Sequence, residues 1–197
     1  MVIFIKGDEF YMNEYIRGSE WRKWDLHIHT PASIVQHYGE DNEETWEKYI
    51  TDLENLPKQI KVLGINDYLF IDGYKKVKKY KDSGRLKNID LILPVIEFRI
   101  KMFAGVQFEN LKRINLHVVF SEKLSAETIQ NQFLNAMTSK YKLTKEIEWN
   151  GVIDRQSLID LGNKIIASAP ETEREKYYSP LIEGFNNINV NVEDVKQ

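Results

Sequence analysis

Apolar residues recur at helical spacing after Asp41, at Trp46, Tyr49, Ile50, Leu53 and Leu56, and Pro57 closes the run. Asp41 followed by Glu44 reads as a capping box, so the pattern predicts a helix starting there. Before it, residues 24–29 alternate Leu26 and Ile28 with His27 and His29 and stop at Thr30-Pro31. Proline has no amide hydrogen to give a ladder and restricts the residue before it, so this segment predicts a short strand ending in a loop. Residues 61–66 form a short apolar run suited to a buried parallel strand, and residues 72–82 predict a second helix stopped near Ser83-Gly84. Residues 89–96 predict a third strand and residues 114–120 a fourth, while residues 99–113 read as a hairpin or an extra strand between them. Ser125 is placed to cap a helix carrying Ile129, Phe133, Ala136 and Met137 on one face. Beyond Tyr141 the pattern weakens. Leu158, Leu161 and Ile165 predict one more helix, a polar stretch covers residues 171–178, and residues 191–194 read as a helix start that meets Gln197 as if the sequence were cut short.

Alternating strands and helices predict an α/β fold, with a parallel sheet covered by helices as an open sheet or as a (β/α) barrel. Composition agrees: 42% hydrophobic and 29% charged residues in 197 suit one domain with a core of its own. Lys and Arg number 27 against 30 Asp and Glu, so no global field draws the chain to nucleic acid or membranes, and basic recognition must be local. The apolar opening reaches Lys6, Asp8 and Glu9 too soon for a signal-peptide core, and no run has membrane-spanning length, so a cytoplasmic location is expected. Cysteine is absent, which leaves His, Asp and Glu as candidate metal ligands.

His27 and His29 stand two apart on a strand, so their imidazoles share a face at the end where parallel α/β proteins assemble their sites. By itself a His-x-His pair is more often chance. Asp67 ends the second predicted strand, Glu97 ends the third and His117 lies in the fourth, so each strand delivers an imidazole or a carboxylate. Individually Asp67 reads equally as a turn or cap residue, Glu97 as an ion pair with Arg99, and His117 as a hydrogen-bonded core histidine. Jointly, several ionisable groups among apolar strands are costly unless something neutralises them, and a cluster of divalent Zn, Mn or Fe ions would. His37 reads as a loop histidine. Ser33 and Thr30 are candidates to bind a phosphate or to cap their loop. Lys75, Lys76, Lys78, Lys79, Lys81, Arg85 and Lys87 read as a solvated helix face or as contacts for a phosphate backbone. No nucleotide-binding Gly-x-x-x-x-Gly-Lys-Ser/Thr loop occurs.

Four segments, in order, resemble the PHP (polymerase and histidinol phosphatase) superfamily: Asp25-Leu-His-Ile-His-Thr-Pro-Ala-Ser33; Gly64-Ile-Asn-Asp-Tyr68 with Ile71-Asp-Gly-Tyr74; Leu93-Pro-Val-Ile-Glu97; and Leu116-His-Val-Val-Phe120. The chain looks most similar to PHP domains fused to AAA/SMC-like ATPases, the TrlF-type proteins, some of them associated with bacterial defence against phage. The resemblance covers residues 19–120 and implies one domain over residues 1–197, the front portion of a distorted (β/α)7 barrel. It further implies metal-dependent phosphoester hydrolysis, with two or three ions in a complete site. Carried onto this chain, the metal ligands would be His27, His29, Asp67, Glu97 and His117, with Asp67 and His117 also catalytic. The implied partners are a phosphoester substrate, such as a nucleic acid or nucleotide, and an ATPase domain; oligomers are a further expectation. Two departures stand out. The usual Thr-Asp-His reads Asn66-Asp67-Tyr68, placing a phenol where the family has an imidazole, and no histidine follows His117. A second reading is therefore a catalytically degenerate PHP-like scaffold or partner-binding module.

Overall fold

In a computed structural model, residues 4–6, 9–11, 21–106, 108–142, 148–188 and 190–195 are described. The first three residues of the apolar opening and the final Gln197 lie outside them. The elements in chain order are β1 (Phe4–Lys6), β2 (Glu9–Tyr11), β3 (Lys23–Ile28), α1 (Glu43–Glu54), β4 (Ile60–Tyr68), α2 (Asp72–Asp82), β5 (Leu91–Ala104), β6 (Lys112–Val119), α3 (Ala126–Thr128), β7 (Thr138–Lys142), β8 (Glu148–Val152), α4 (Arg155–Ser168), α5 (Pro180–Asn187) and α6 (Val192–Val195). The fold is mixed α/β. A four-stranded sheet in the order β3-β4-β5-β6 curls like half of a barrel wall, and β1-β2 and β7-β8 are separate two-stranded ribbons. No helix among the described residues is long and apolar enough to cross a membrane.

The repeated pattern predicted a parallel sheet, whereas the sheet is mixed. β3, β4 and β5 run parallel through the α1 and α2 crossovers, but β6 returns antiparallel to β5. The cause is the connection: only seven residues separate Ala104 of β5 from Lys112 of β6, and a parallel return needs a crossover of a dozen residues or more. Residues 99–113 thus extend β5 into a hairpin with β6, and the ladder skips between Arg99 and Phe103.

Capping accounts for smaller corrections. Asn42 rather than Asp41 caps α1, its side chain accepting from Thr45 N at 3.0 Å, while Asp41 accepts from the Trp46 indole at 2.6 Å. Ser125 caps its helix as expected, accepting from Thr128 N at 3.1 Å. That helix keeps α geometry only over Ala126–Thr128, then widens and tightens, which buries Leu134 and leaves Ala136 exposed. Helix α5 escaped the hydrophobic pattern, although Ser179-Pro180 is an ordinary helix opening with proline at its first position.

One apolar core lies between the sheet and the helices. Trp46 and Ile50 of α1, Val77 of α2, Leu63 and Ile65 of β4, and Ile96 and Phe98 of β5 are all buried there. Farther along, α4 and α5 meet backbone to backbone at two glycines. A Cβ on Gly162 would fall 1.8 Å from Pro180 O, and one on Gly184 would fall 1.9 Å from Leu158 O. Only hydrogen side chains permit that approach.

Candidate metal centre

Strands β3, β5 and β6, with the residue just after β3, bring His27, His29, Glu97 and His117 together. Glu97 is fully buried, pairs with Tyr68 across the parallel ladder and lies directly opposite His117 in the antiparallel one. The turn into β6 therefore aligns the last imidazole with the carboxylate. Glu97 Oε2 lies 3.4 Å from His27 Nε2 and 3.6 Å from His29 Nε2, and those two nitrogens are 3.3 Å apart. Its other oxygen, Oε1, lies 3.6 Å from His117 Nε2. One ligand atom each from His27, Glu97 and His117 falls within 4.8 Å of the others, a grouping that can hold a metal ion.

The donor set fits such an ion. A tetrahedral ion with bonds of about 2.0–2.1 Å has ligand atoms separated by roughly 3.3 Å along each edge. The His27, His29 and Glu97 Oε2 atoms form a triangle with sides of 3.3, 3.4 and 3.6 Å, close to one face of that tetrahedron. Burial pushes the His29 pKa below its ordinary value, against the pull of Glu97, and the neighbouring imidazoles lower it further. A neutral imidazole has the free lone pair that ligation requires.

Two amides hold the carboxylate. Asn66 Nδ2 donates to Glu97 Oε2 at 2.9 Å, and Asn115 Nδ2 donates to Oε1. Asn66 Oδ1 is buried without a partner among the described residues. Tyr68 lies beside the cluster, its ring stacked on His29 at 5.1 Å between centroids and 18° between planes. Burial raises the phenol's pKa, Glu97 raises it further, and Arg99 opposes both, so Tyr68 stays a neutral donor rather than a phenolate ligand. Neither asparagine's role is legible from local pattern, because their contacts join residues 31 and 18 apart.

Asp67 is placed differently. It follows Asn66 on β4, so strand alternation turns it to the opposite face, toward the start of α2. Thr30 N donates to its Oδ1 at 2.8 Å and Thr30 Oγ1 to its Oδ2 at 2.6 Å. Asp67 thus anchors the loop after β3, and its nearest approach to the imidazoles is 4.0 Å, to His29 Nδ1. Gly73 leaves room for this pair, since a Cβ there would sit 1.9 Å from Asp67 Oδ2. Thr30 therefore caps the loop, and Ser33 Oγ lies 3.5 Å from His29 Nδ1. Arg155 of α4 ties the same loop by donating to Ala32 O at 2.9 Å. His37 is exposed and stands outside the cluster.

Burial raises the Asp67 pKa from 3.8 to about 6, against the opposing hydrogen bonds from Thr30. A carboxyl whose folded pKa is raised contributes stability that is full below the unfolded pKa and is lost as pH rises through the folded value. Between pH 3.5 and 7, metal-free protein should therefore lose about 3 kcal/mol relative to Asp67→Asn, which keeps the shape without the charge. Urea unfolding of both proteins in chelator at several pH values checks this. Parallel stability curves would show that Asp67 carries no such penalty.

The basic run on and after α2 is largely paired. Lys76 bridges to Glu43 at 2.9 Å and lies over Trp46, Lys78 pairs with Asp82, and Lys81 donates to Leu86 O and Ile89 O. Arg85 forks onto Glu54 with two bonds of 2.8 Å. These contacts explain most of the run as a helix face tied to α1 and to the following loop. No family model, curated protein or solved structure matches the chain.

Proposed function

We propose that this chain is a PHP-like, metal-dependent phosphoesterase domain. The observation carrying the proposal is the triangle of His27 Nε2, His29 Nε2 and Glu97 Oε2, with His117 on the other carboxylate oxygen. His27, His29, Glu97 and His117 would hold the metal, with Glu97 the carboxylate that all three imidazoles face. A divalent ion bound there would lower the pKa of a water and offset charge on a phosphoryl oxygen. The chain's own part is to fix the donors: Asn66 and Asn115 orient the carboxylate, and Tyr68 packs His29 in place. His27 and the face of β6 carrying Asn115 and His117 are open to solvent, which leaves the substrate an approach. Asp67, tied to Thr30, serves the loop in this reading rather than an ion. The sequence resemblance alone supports the rest of the barrel, an ATPase partner and an antiviral setting.

The test is metal analysis together with Mn-dependent hydrolysis of generic phosphoesters. His27→Ala combined with His29→Ala should remove the metal while circular dichroism stays at the parent level, because both imidazoles lie outside the apolar core. Undiminished metal in that folded variant would sink the assignment. Metal retained without turnover in the parent chain would favour the degenerate-scaffold reading, to which the phenol at Tyr68 already points.

A further inference from the structure

Arg99 stands two residues beyond Glu97 on β5, and strand alternation puts both on the same face. Its guanidinium lies 4.0 Å from the centroid of the Phe185 ring and 5.4 Å from that of Tyr68, the ring stacked on His29. Nη1 donates to Asn186 Oδ1 at 3.0 Å. Strand β5 and helix α5 therefore hold the cation one aromatic ring away from the imidazoles.

These contacts use only part of the group. Stacking engages the flat face of the guanidinium, Asn186 takes one N–H and the Tyr68 hydroxyl another, whereas five N–H bonds lie in its plane. Among the described residues it forms no ion pair; Glu97 attracts it, but the Glu97 oxygens already face two amides and three imidazoles. The end of α5 does not depend on it either, because Arg113 Nη1 donates to Asn186 O at 3.2 Å and Ile188 O at 3.4 Å. Arg99 also feels the charge of Arg113, and two neighbouring guanidiniums favour an anion between or beside them. The side chain is only partly buried.

We propose that Arg99 is a substrate-binding residue, its planar fork taking a phosphoryl oxygen of the ligand held at the His27–Glu97–His117 cluster. This rests on the metal-dependent reading above and adds the residue that recognises the anion. A fork suits phosphate oxygens better than a point charge does, so lysine is an incomplete substitute.

The experiment uses the full chain loaded with Mn. Binding of inorganic phosphate is measured by calorimetry, and hydrolysis is followed with p-nitrophenyl phosphate and with its bis-ester. Arg99→Gln should weaken phosphate binding about tenfold or more, the scale of one charged hydrogen bond, and raise KM more than it lowers kcat, with metal content unchanged. Arg99→Lys should fall between that variant and the parent. A KM rise on the monoester alone assigns the fork to a terminal phosphate, and a rise on both substrates assigns it to an oxygen they share. Phosphate affinity within twofold of the parent in a metal-loaded Gln variant would overturn the proposal, and should that variant fail to fold, the same result in Arg99→Lys would do so. A parent chain that binds no metal overturns the underlying reading instead.

Discussion

Glu97→Gln should lower metal affinity by at least about a hundredfold, beyond the 10–100-fold typical of groups that only orient ligands. The amide removes the negative charge and one acceptor oxygen from a position faced by three imidazoles. Folding should survive. The new NH2 needs an acceptor, and Asn66 Oδ1, buried and unpartnered, can supply one if its amide turns over. Glu109→Gln, in the turn between β5 and β6, is the control and should leave metal binding at the parent level. Equal effects at the two positions would remove Glu97 from the site. The measurement is metal titration monitored by competition with a chelating dye, with thermal unfolding run in parallel.

Gly162→Ala should be the most damaging small change outside the cluster. Its added methyl meets Pro180 O at 1.8 Å, and a backbone oxygen cannot swing aside as a side chain can, so α4 and α5 must separate. Overpacking of a fixed contact costs roughly 3 kcal/mol, which in a chain of this size lowers Tm by about 6–12 °C. Differential scanning calorimetry gives the answer directly. A Tm within about 2 °C of the parent would mean that the two helices are not seated against each other as described.

The sequence made some parts of this structure legible for clear physical reasons. Helix α2 came out at its observed bounds because its apolar face is regular and Ser83-Gly84 stops it. His27 and His29 were readable as a pair because a strand's alternation is local. The direction of β6 was not, since an apolar run carries no sign of which way it pairs; the short turn was the available clue. The same alternation that joined the histidines also separates Asp67 from Asn66 and Tyr68, but grouping residues by strand end hid it. Asn66 and Asn115 were silent because each acts through a partner distant in sequence, and Arg99 reads from sequence as an ion-pair partner of Glu97, whereas it stacks on Phe185 and donates to Asn186 of α5.

The order of the donors along the chain also sets a timetable. Glu97 and His117 meet through a hairpin, a pairing that closes on the microsecond scale. His27 and His29 reach Glu97 only after β3 and β5 have flanked β4, which requires both parallel crossovers and the packing of α1 and α2. Such long-range pairing is intrinsically slow. One half of the cluster should therefore exist early in refolding and the other half late, so that ion capture marks the completion of the sheet.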